Sequence, residues 1–416
     1  MNSLHACIRP IPVVLALSAI VLCGAARAAE PGSQDQILTT KVGPVDVALF
    51  IPGDVKVLRG LIVHAIGGQL HSDGHWAELC RELQFGLLLT NIDLKQKNRP
   101  QKLRTGMDAG LKEFAEKSGH AELPFVPCVG TGHSAGGMVA PMLLSTPETT
   151  LTNCTSCSWI ADPAKLSPEA ARVPALFTLG ARPDAFNMLP GIEGNLVPAR
   201  KQALPWCLGL QWECAHDFAN SRALFIPWIQ AVAELRVPRP MPSAGSPVVL
   251  KELKEDDGWL GDRTTIESNY ATIAPAKEFR GDKTQAVWLP NRSVACVWRA
   301  FESKSPAVVL QASAADGSAK FSDFRPKGGR QILIDPGVNV QLSASVSEKG
   351  FALRKVRFYD GDKLLGEAVS APWQATWEKP ARGAHAVLAE YEGADGKPGA
   401  SRPALVIVRQ AASVAK

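Results

Sequence analysis

The clearest chemical signal in the chain is a serine set among glycines, Gly132-His133-Ser134-Ala135-Gly136-Gly137, directly after the apolar segment Phe125 to Val129. A serine on a sharp strand-to-helix turn has strained backbone angles and crowded surroundings. Glycines two residues to either side remove the side chains that would collide there. Such a turn lifts the hydroxyl above a sheet, where a histidine can reach it. It also sets the Ala135 amide at a helix start, aimed at a developing oxyanion. The chemistry implied is nucleophilic attack on a carbonyl through a covalent acyl intermediate. A bare glycine turn with a bystander serine gives the same letters, but the strand-turn-helix context favours the nucleophile.

The surrounding sequence supplies elements to hold that turn. From about residue 36 to 236, strand-like and helix-like segments alternate. Ile37 to Val42 and Val45 to Ile51 read as two early strands. Gly60 to Ala65 is a continuous apolar run, as in a strand buried on both faces. A helical stretch follows at Trp76 to Leu83. Gly86 to Asn91 is strand-like, residues 105 to 117 are helical, and Phe125 to Gly130 is the next strand. Gly136 to Leu144 suits a buried helix. Ser158 to Ala161, Pro174 to Leu179 and Leu208 to Glu213 read as strands, and Ala219 to Leu235 as a closing helix. This alternation predicts a mostly parallel sheet flanked by helices.

With the elbow and the alternation together, residues 36 to 237 resemble the α/β-hydrolase superfamily, and within it the secreted serine esterases of the dienelactone-hydrolase and polyester-hydrolase branches. The resemblance implies the chain order nucleophile, acid, histidine. The turn Gly180-Ala181-Arg182-Pro183-Asp184 matches the family's acid turn, which makes Asp184 the expected acid. Its role would be to orient the imidazole and stabilise the imidazolium. Asp162 is the alternative, one strand earlier, and Asp217 lies too close to the histidine. Ala215-His216-Asp217-Phe218 falls between the last strand and the last helix, so His216 is the expected base. The second oxyanion donor should come from His64-Ala65-Ile66-Gly67-Gly68. There Ala65 replaces the family's usual glycine and blurs the register. Ile66 is the expected donor, with Gly67 and Ala65 as the near alternatives, and His64 reads as structural. His71 and His75 could share one helix face as metal ligands, but no third ligand accompanies them, so neither a metal nor another cofactor is expected.

Past Val237 the stiff segment Pro238 to Ser243 marks a boundary. Residues 248 to 325 show no fold pattern, although Trp259, Trp288 and Trp298 argue for order and Asn291 to Phe301 for one short helix. From about residue 330 to 410 the pattern is short alternating strands. Val338 to Val346 comes first, then Lys355 to Tyr359 turning at Asp360-Gly361-Asp362 into Lys363 to Gly366. Trp373 to Trp377, His385 to Tyr391 and Ala404 to Val408 follow. This stretch resembles the bacterial immunoglobulin-like domains appended to secreted hydrolases, an antiparallel β-sandwich without the antibody disulfide. Tyr359, Trp373 and Trp377 are the candidate sugar platform, if they are not core.

Residues 1 to 28 read as an export signal, with Arg9, the apolar run Ile11 to Cys23 and then Ala26-Arg27-Ala28. The run is too short for an ordinary membrane span, and Leu22 makes a lipoprotein site at Cys23 the lesser alternative. A secreted or periplasmic location follows as the expectation. Of nine cysteines, seven follow the leader. In an oxidising compartment Cys207 and Cys214 are the pair expected to bridge, while Cys154-Thr155-Ser156-Cys157 reads as inert thiols or a local bridge rather than a redox motif. The net charge of +5 carries no dense basic run, which argues against a nucleic-acid partner.

The expected activity is therefore hydrolysis of carboxylic esters, with a small-molecule or polymeric ester as substrate and polysaccharide as a second candidate partner through the C-terminal domain. No propeller-like repeats gate a peptidase. The rival classes are a hydrolase fold without activity and a carbohydrate-binding or adhesion protein.

Overall fold

The computed structural model describes residues 34–67, 74–242, 245–318 and 331–409, so residues 1 to 28, read above as an export signal, and Gly68 and His71 lie outside the described residues. The first half runs β1 (Gln36–Val42), β2 (Val45–Ile51), β3 (Gly60–Ala65), α1 (Gly74–Leu83), β4 (Phe85–Ile92), α2 (Arg99–Ser118) and β5 (Cys128–His133). It continues through α3 (Val139–Leu143), β6 (Thr150–Ser156), α4 (Pro168–Ala171), β7 (Ala175–Gly180), α5 (Pro183–Phe186), α6 (Leu189–Lys201), β8 (Trp206–Gln211) and α7 (Arg222–Arg236). These strands form one eight-stranded sheet in the order β1-β2-β4-β3-β5-β6-β7-β8. β1 and β2 are antiparallel, β2 meets β4 antiparallel, and all pairs from β4 to β8 are parallel. This is the mostly parallel sheet flanked by helices expected from the alternation.

Two local readings change. The strand expected at Ser158 to Ala161 is instead β6, eight residues earlier at its start, and Trp159 stands 77% exposed beyond it. β6 reads Thr-Leu-Thr-Asn-Cys-Thr-Ser yet is buried throughout. Two of its hydroxyls are satisfied locally, Thr150 Oγ1 donating to Leu143 O at 2.8 Å and Thr152 Oγ1 to Pro174 O at 2.8 Å. A buried strand of this kind shows no apolar run. The single helix expected over 136 to 144 is a 3₁₀ turn, Ser134–Met138, followed by the short α3.

The intermediate region forms a three-stranded sheet of β9 (Trp259–Asp262), β10 (Ile273–Pro275) and β11 (Ala286–Leu289), followed by α8 (Arg292–Phe301). Asn291 caps α8, its side chain accepting from Val294 N at 2.9 Å. The tryptophans pin this region to the first half. Trp288 packs edge-on against Trp228 at 5.7 Å between ring centroids, and Trp298 Nε1 donates to Leu208 O at 2.9 Å.

The C-terminal part contains β12 (Val308–Ala314), β13 (Gln331–Ile334), β14 (Val340–Val346), β15 (Leu353–Asp360), β16 (Lys363–Ala368), β17 (Gln374–Trp377), β18 (Gly383–Gly393), β19 (Pro398–Ala400) and β20 (Ala404–Val408). One sheet is β12-β14-β17; the other is β13-β20-β18-β15-β16, with β19 on β18. All pairs are antiparallel except β13 with β20. The sandwich thus takes in Val308–Ala314, which the sequence reading placed in the intermediate region.

Alternation along β18 and β20 feeds two cores at once. Val387, Ala389, Val406 and Val408 face the sandwich interior. Ala384, Ala386, Leu388, Leu405 and Ile407 join the core that also holds Trp76, Leu79, Trp228 and Trp298. The aromatic platform does not form: Trp377 is buried in the sandwich core with Trp373 packed on it, while Tyr359 packs against the other core. The Cys207–Cys214 bridge is also absent. None of the seven cysteines beyond residue 28 is in a disulfide, and all are buried. Cys207 is held in extended β8, while Cys214 lies past the strand's end, and such a span keeps two thiols apart.

Candidate functional site

β5 ends at His133, and Ser134 then adopts φ 53°. A residue with a side chain rarely occupies that region, and it persists only where the surroundings over-determine it. The surroundings here are backbone. A Cβ on Gly132 would lie 2.1 Å from Gly136 O, and one on Gly136 would lie 2.6 Å from Ala65 O. The elbow is thus clamped between its own helical turn and the end of β3.

The loop after β3 differs from expectation at Ile66. The parallel ladder with β4 runs one residue past the strand, and Ile66 N donates to Thr90 O at 2.8 Å. That amide is consumed and is not an oxyanion donor. Gly67 follows at φ 83°. His64 accepts from or donates to Thr131 Oγ1 through Nδ1 and stacks edge-on against Trp76 at 4.9 Å. Burial lowers its pKa to about 4, so the ring is neutral. His75 is buried with Nδ1 3.3 Å from Gln331 Nε2, and burial holds its pKa well below the usual value. Among the described residues no group of three or more His, Cys, Asp or Glu side chains could hold a metal ion.

His216 lies in the loop between β8 and α7. Its exposed ring sits 5.1 Å from that of His133, edge to face, next to the serine. Burial, and then the neighbouring His216, lower the His133 pKa, while Asp217 opposes them. The loop is tied down from several directions. Cys157 Sγ donates toward Asp217 O at 3.7 Å and Ala215 O at 3.9 Å, one contact on each side of the histidine. Beneath it, Ser221 Oγ meets Thr178 Oγ1 at 2.8 Å and donates to Ser156 Oγ at 3.2 Å, while Gln211 Oε1 accepts from Asn220 N at 2.8 Å. From the intermediate region, Glu302 accepts from Leu210 N through its carboxylate and from Trp212 Nε1 through its carbonyl, each at 2.7 Å. Burial pushes the Glu302 carboxyl up to about 8 against the pull of the Leu210 amide. From the sandwich, Arg402 pairs with Glu213 at 2.7 Å and Asn220 Nδ2 donates to Pro403 O at 2.9 Å.

Asp184 sits exposed in the first turn of α5. Its turn is stitched to the histidine loop: Ala181 N donates to Gln211 O and Arg182 N to Cys214 O, both at 2.9 Å. Gly180 permits the contact, because a Cβ there would lie 1.9 Å from Ala215 O. Asp162 is committed elsewhere, accepting from Ala164 N at 3.0 Å and pairing with Lys165 at 3.4 Å. Asp217 accepts from Ala219 N at 3.0 Å. The structure therefore brings the elbow, acid turn and histidine loop to one edge of the sheet, without a hydrogen bond joining Ser134, Asp184 and His216. Cys157, Glu302 and Arg402 had no signal in the sequence beyond the CxxC spacing, because each acts through contacts with distant residues.

Ser134 and Ala135 open on a cleft of about 420 Å³ whose lining is apolar for most of its length, with Met138, Leu166, Phe177 and Trp206 among its walls.

Residues 326–389 match a bacterial Ig domain. The Ig domain match covers β13 through most of β18. No curated protein matches the chain. Among solved structures, the dienelactone hydrolase of Anabaena variabilis is similar at 18% identity, covering 49% of this chain and 94% of its own, with a TM-score of 0.31. A cold-adapted esterase from an Arctic intertidal metagenomic library is similar at 11% identity, covering 48% of this chain and 92% of its own, with a TM-score of 0.33. The fibronectin(III)-like modules of Clostridium thermocellum CbhA are similar at 26% identity over 24% of this chain and 94% of theirs, with a TM-score of 0.18. Among the described residues no helix is long and apolar enough to cross a membrane.

Proposed function

We propose that this chain is an exported serine hydrolase that cleaves carboxylic esters through an acyl-enzyme on Ser134. The observation that carries the reading is the strained φ of 53° at Ser134, held by glycine contacts at the mouth of an apolar cleft. Strain maintained at one serine beside a cavity is what a pre-organised nucleophile needs.

In this mechanism His216 swings from its exposed position past His133 to reach Ser134 Oγ. Catalytic hydrogen bonds commonly tighten only once substrate is bound. The imidazole takes the hydroxyl proton as Ser134 attacks, the amides of Ala135 and Gly67 stabilise the oxyanion, and the proton passes to the leaving alcohol. Water then attacks the acyl-enzyme with His216 again as base. Asp184 orients the imidazolium, carried toward it by the acid turn's contacts with the histidine loop. Leader-directed export supplies the setting, and the ester is one met outside the cytoplasm.

The test is turnover of p-nitrophenyl acetate and labelling by a fluorophosphonate probe. Wild-type protein is expected to do both. Ser134→Ala is expected to lose labelling and at least about 10³-fold in kcat. An unlabelled, inactive wild type would favour a binding protein on a hydrolase fold instead.

A further inference from the structure

We propose that the cleft beside Ser134 selects an acyl group that is apolar along most of its length and carries one hydroxyl, and that Asn153 is the residue that selects it. The proposal rests on the reading of Ser134 as nucleophile.

The cleft runs from the elbow across one face of β6, β7 and β8. Asn153 and Ala175 are paired in the sheet, Trp206 pairs with Ala175, and all three line the cleft; Ala140 and Leu144 line it from the helix after the elbow. Asn153 is 2% exposed, and its Oδ1 is buried with no hydrogen-bond partner. On β6, Thr150 and Thr152 bond to backbone carbonyls, and Thr155 Oγ1, which is unpaired too, does not line the cleft. The Trp206 indole N–H is also satisfied, donating to Ala171 O at 3.0 Å. The lining therefore leaves a single amide oxygen unpaired within apolar walls.

Room has been made for that amide. A Cβ on Gly130, in the adjacent strand, would lie 2.2 Å from Asn153 Oδ1. Only a glycine there admits the side chain. A buried polar group without a partner costs free energy and calls for an explanation. A leucine of similar size would remove the cost, yet an amide is present.

A hydroxyl on the substrate resolves this. It donates to Oδ1 and accepts from Nδ2, so it fits either orientation of the amide. A plain alkyl chain leaves the amide unpaired, whereas a hydroxylated chain of the same length pairs it. Sites that hydrogen-bond a substrate hydroxyl discriminate against the analogue lacking it more sharply than apolar pockets discriminate a methylene.

The experiment compares kcat/KM for p-nitrophenyl esters of straight-chain acids with their mono-hydroxylated counterparts, the hydroxyl moved along the chain. Wild-type protein should favour at least one hydroxylated ester by about tenfold or more. Asn153→Leu should lose that preference, read as the ratio of kcat/KM for each ester pair within the variant, which also removes any intrinsic reactivity difference between the esters. Asn153→Ala gives the same comparison should the leucine variant fail to fold, as read by thermal melting. No preference in wild type, as when a buried water satisfies the amide, or a preference that survives in the variants, overturns the proposal. Calorimetric binding of the methyl esters to Ser134→Ala, with and without Asn153→Leu, separates the two readings. Asn153-dependent binding with no wild-type turnover would sink the nucleophile alone. Turnover without preference would sink the cleft assignment alone.

Discussion

The two sides of the candidate site are built differently. The serine side is fixed by backbone: Ser134 is held at φ 53°, and Gly132 and Gly136 let main-chain oxygens approach where no side chain fits. The histidine side is fixed by side chains drawn from across the chain, with Cys157 below, Glu302 from the intermediate region and Arg402 from the sandwich. A backbone-built turn tolerates no substitution at its contacts. A loop held by many modest bonds should weaken in small steps.

That contrast can be broken at several points. The largest effect is expected from Ser134→Ala, with kcat down at least about 10³-fold and melting temperature little changed, measured by ester turnover and circular dichroism. Gly132→Ala should come next, because its new Cβ meets a main-chain oxygen that cannot rotate away. Loss of several kcal/mol is expected in denaturant unfolding, together with loss of activity. If Gly132→Ala melts and turns over like wild type, the serine side is not clamped as described.

Glu302 sharpens the contrast through pH. Its carboxyl is raised from the ordinary 4.5 to about 8, so the fold favours the protonated form. Its contribution is full below about pH 4.5 and is lost as pH rises through about 8. Glu302→Gln should therefore flatten the fall in melting temperature expected of wild type between about pH 4.5 and 8. An unchanged slope would show that Glu302 does not titrate in the fold. The smallest effect is expected from Arg402→Ala, whose ion pair with Glu213 is partly exposed. It should lower kcat about two- to fivefold with little change in melting, since such pairs contribute about 1 kcal/mol or less. A loss as large as that of Ser134→Ala would mean the Ig domain governs the histidine loop outright.

What was legible in the sequence follows the same division. The elbow could be read because glycine spacing reports backbone crowding directly, and the sheet could be read because β3, β4 and β7 are continuous apolar runs. β6 was hidden because threonine and asparagine fill a fully buried strand. Ile66 was chosen over Gly67 because sequence does not show that a ladder continues one residue past its strand. Cys207 and Cys214 looked close, but extended backbone separates what short spacing suggests. β12 was missed because its partner β14 begins 26 residues later than the end of β12, across a stretch without pattern. Asn153 had no signal at all, since its significance lies in Gly130 on the neighbouring strand.

The shared packing of β18 and β20 has a consequence for how the molecule comes apart. One face of those strands completes the same apolar core that contains Trp76 and Trp228, so cutting the chain at the Pro238 to Ser243 break would strip water-hating surface bare on both fragments. Heating should then yield one cooperative transition rather than two, and neither half should be obtainable alone as a well-behaved monomer. The Ig domain in this chain is part of the first half's own foldable unit, and swapping it for a foreign module would mean redesigning α1, α7 and α8 as well.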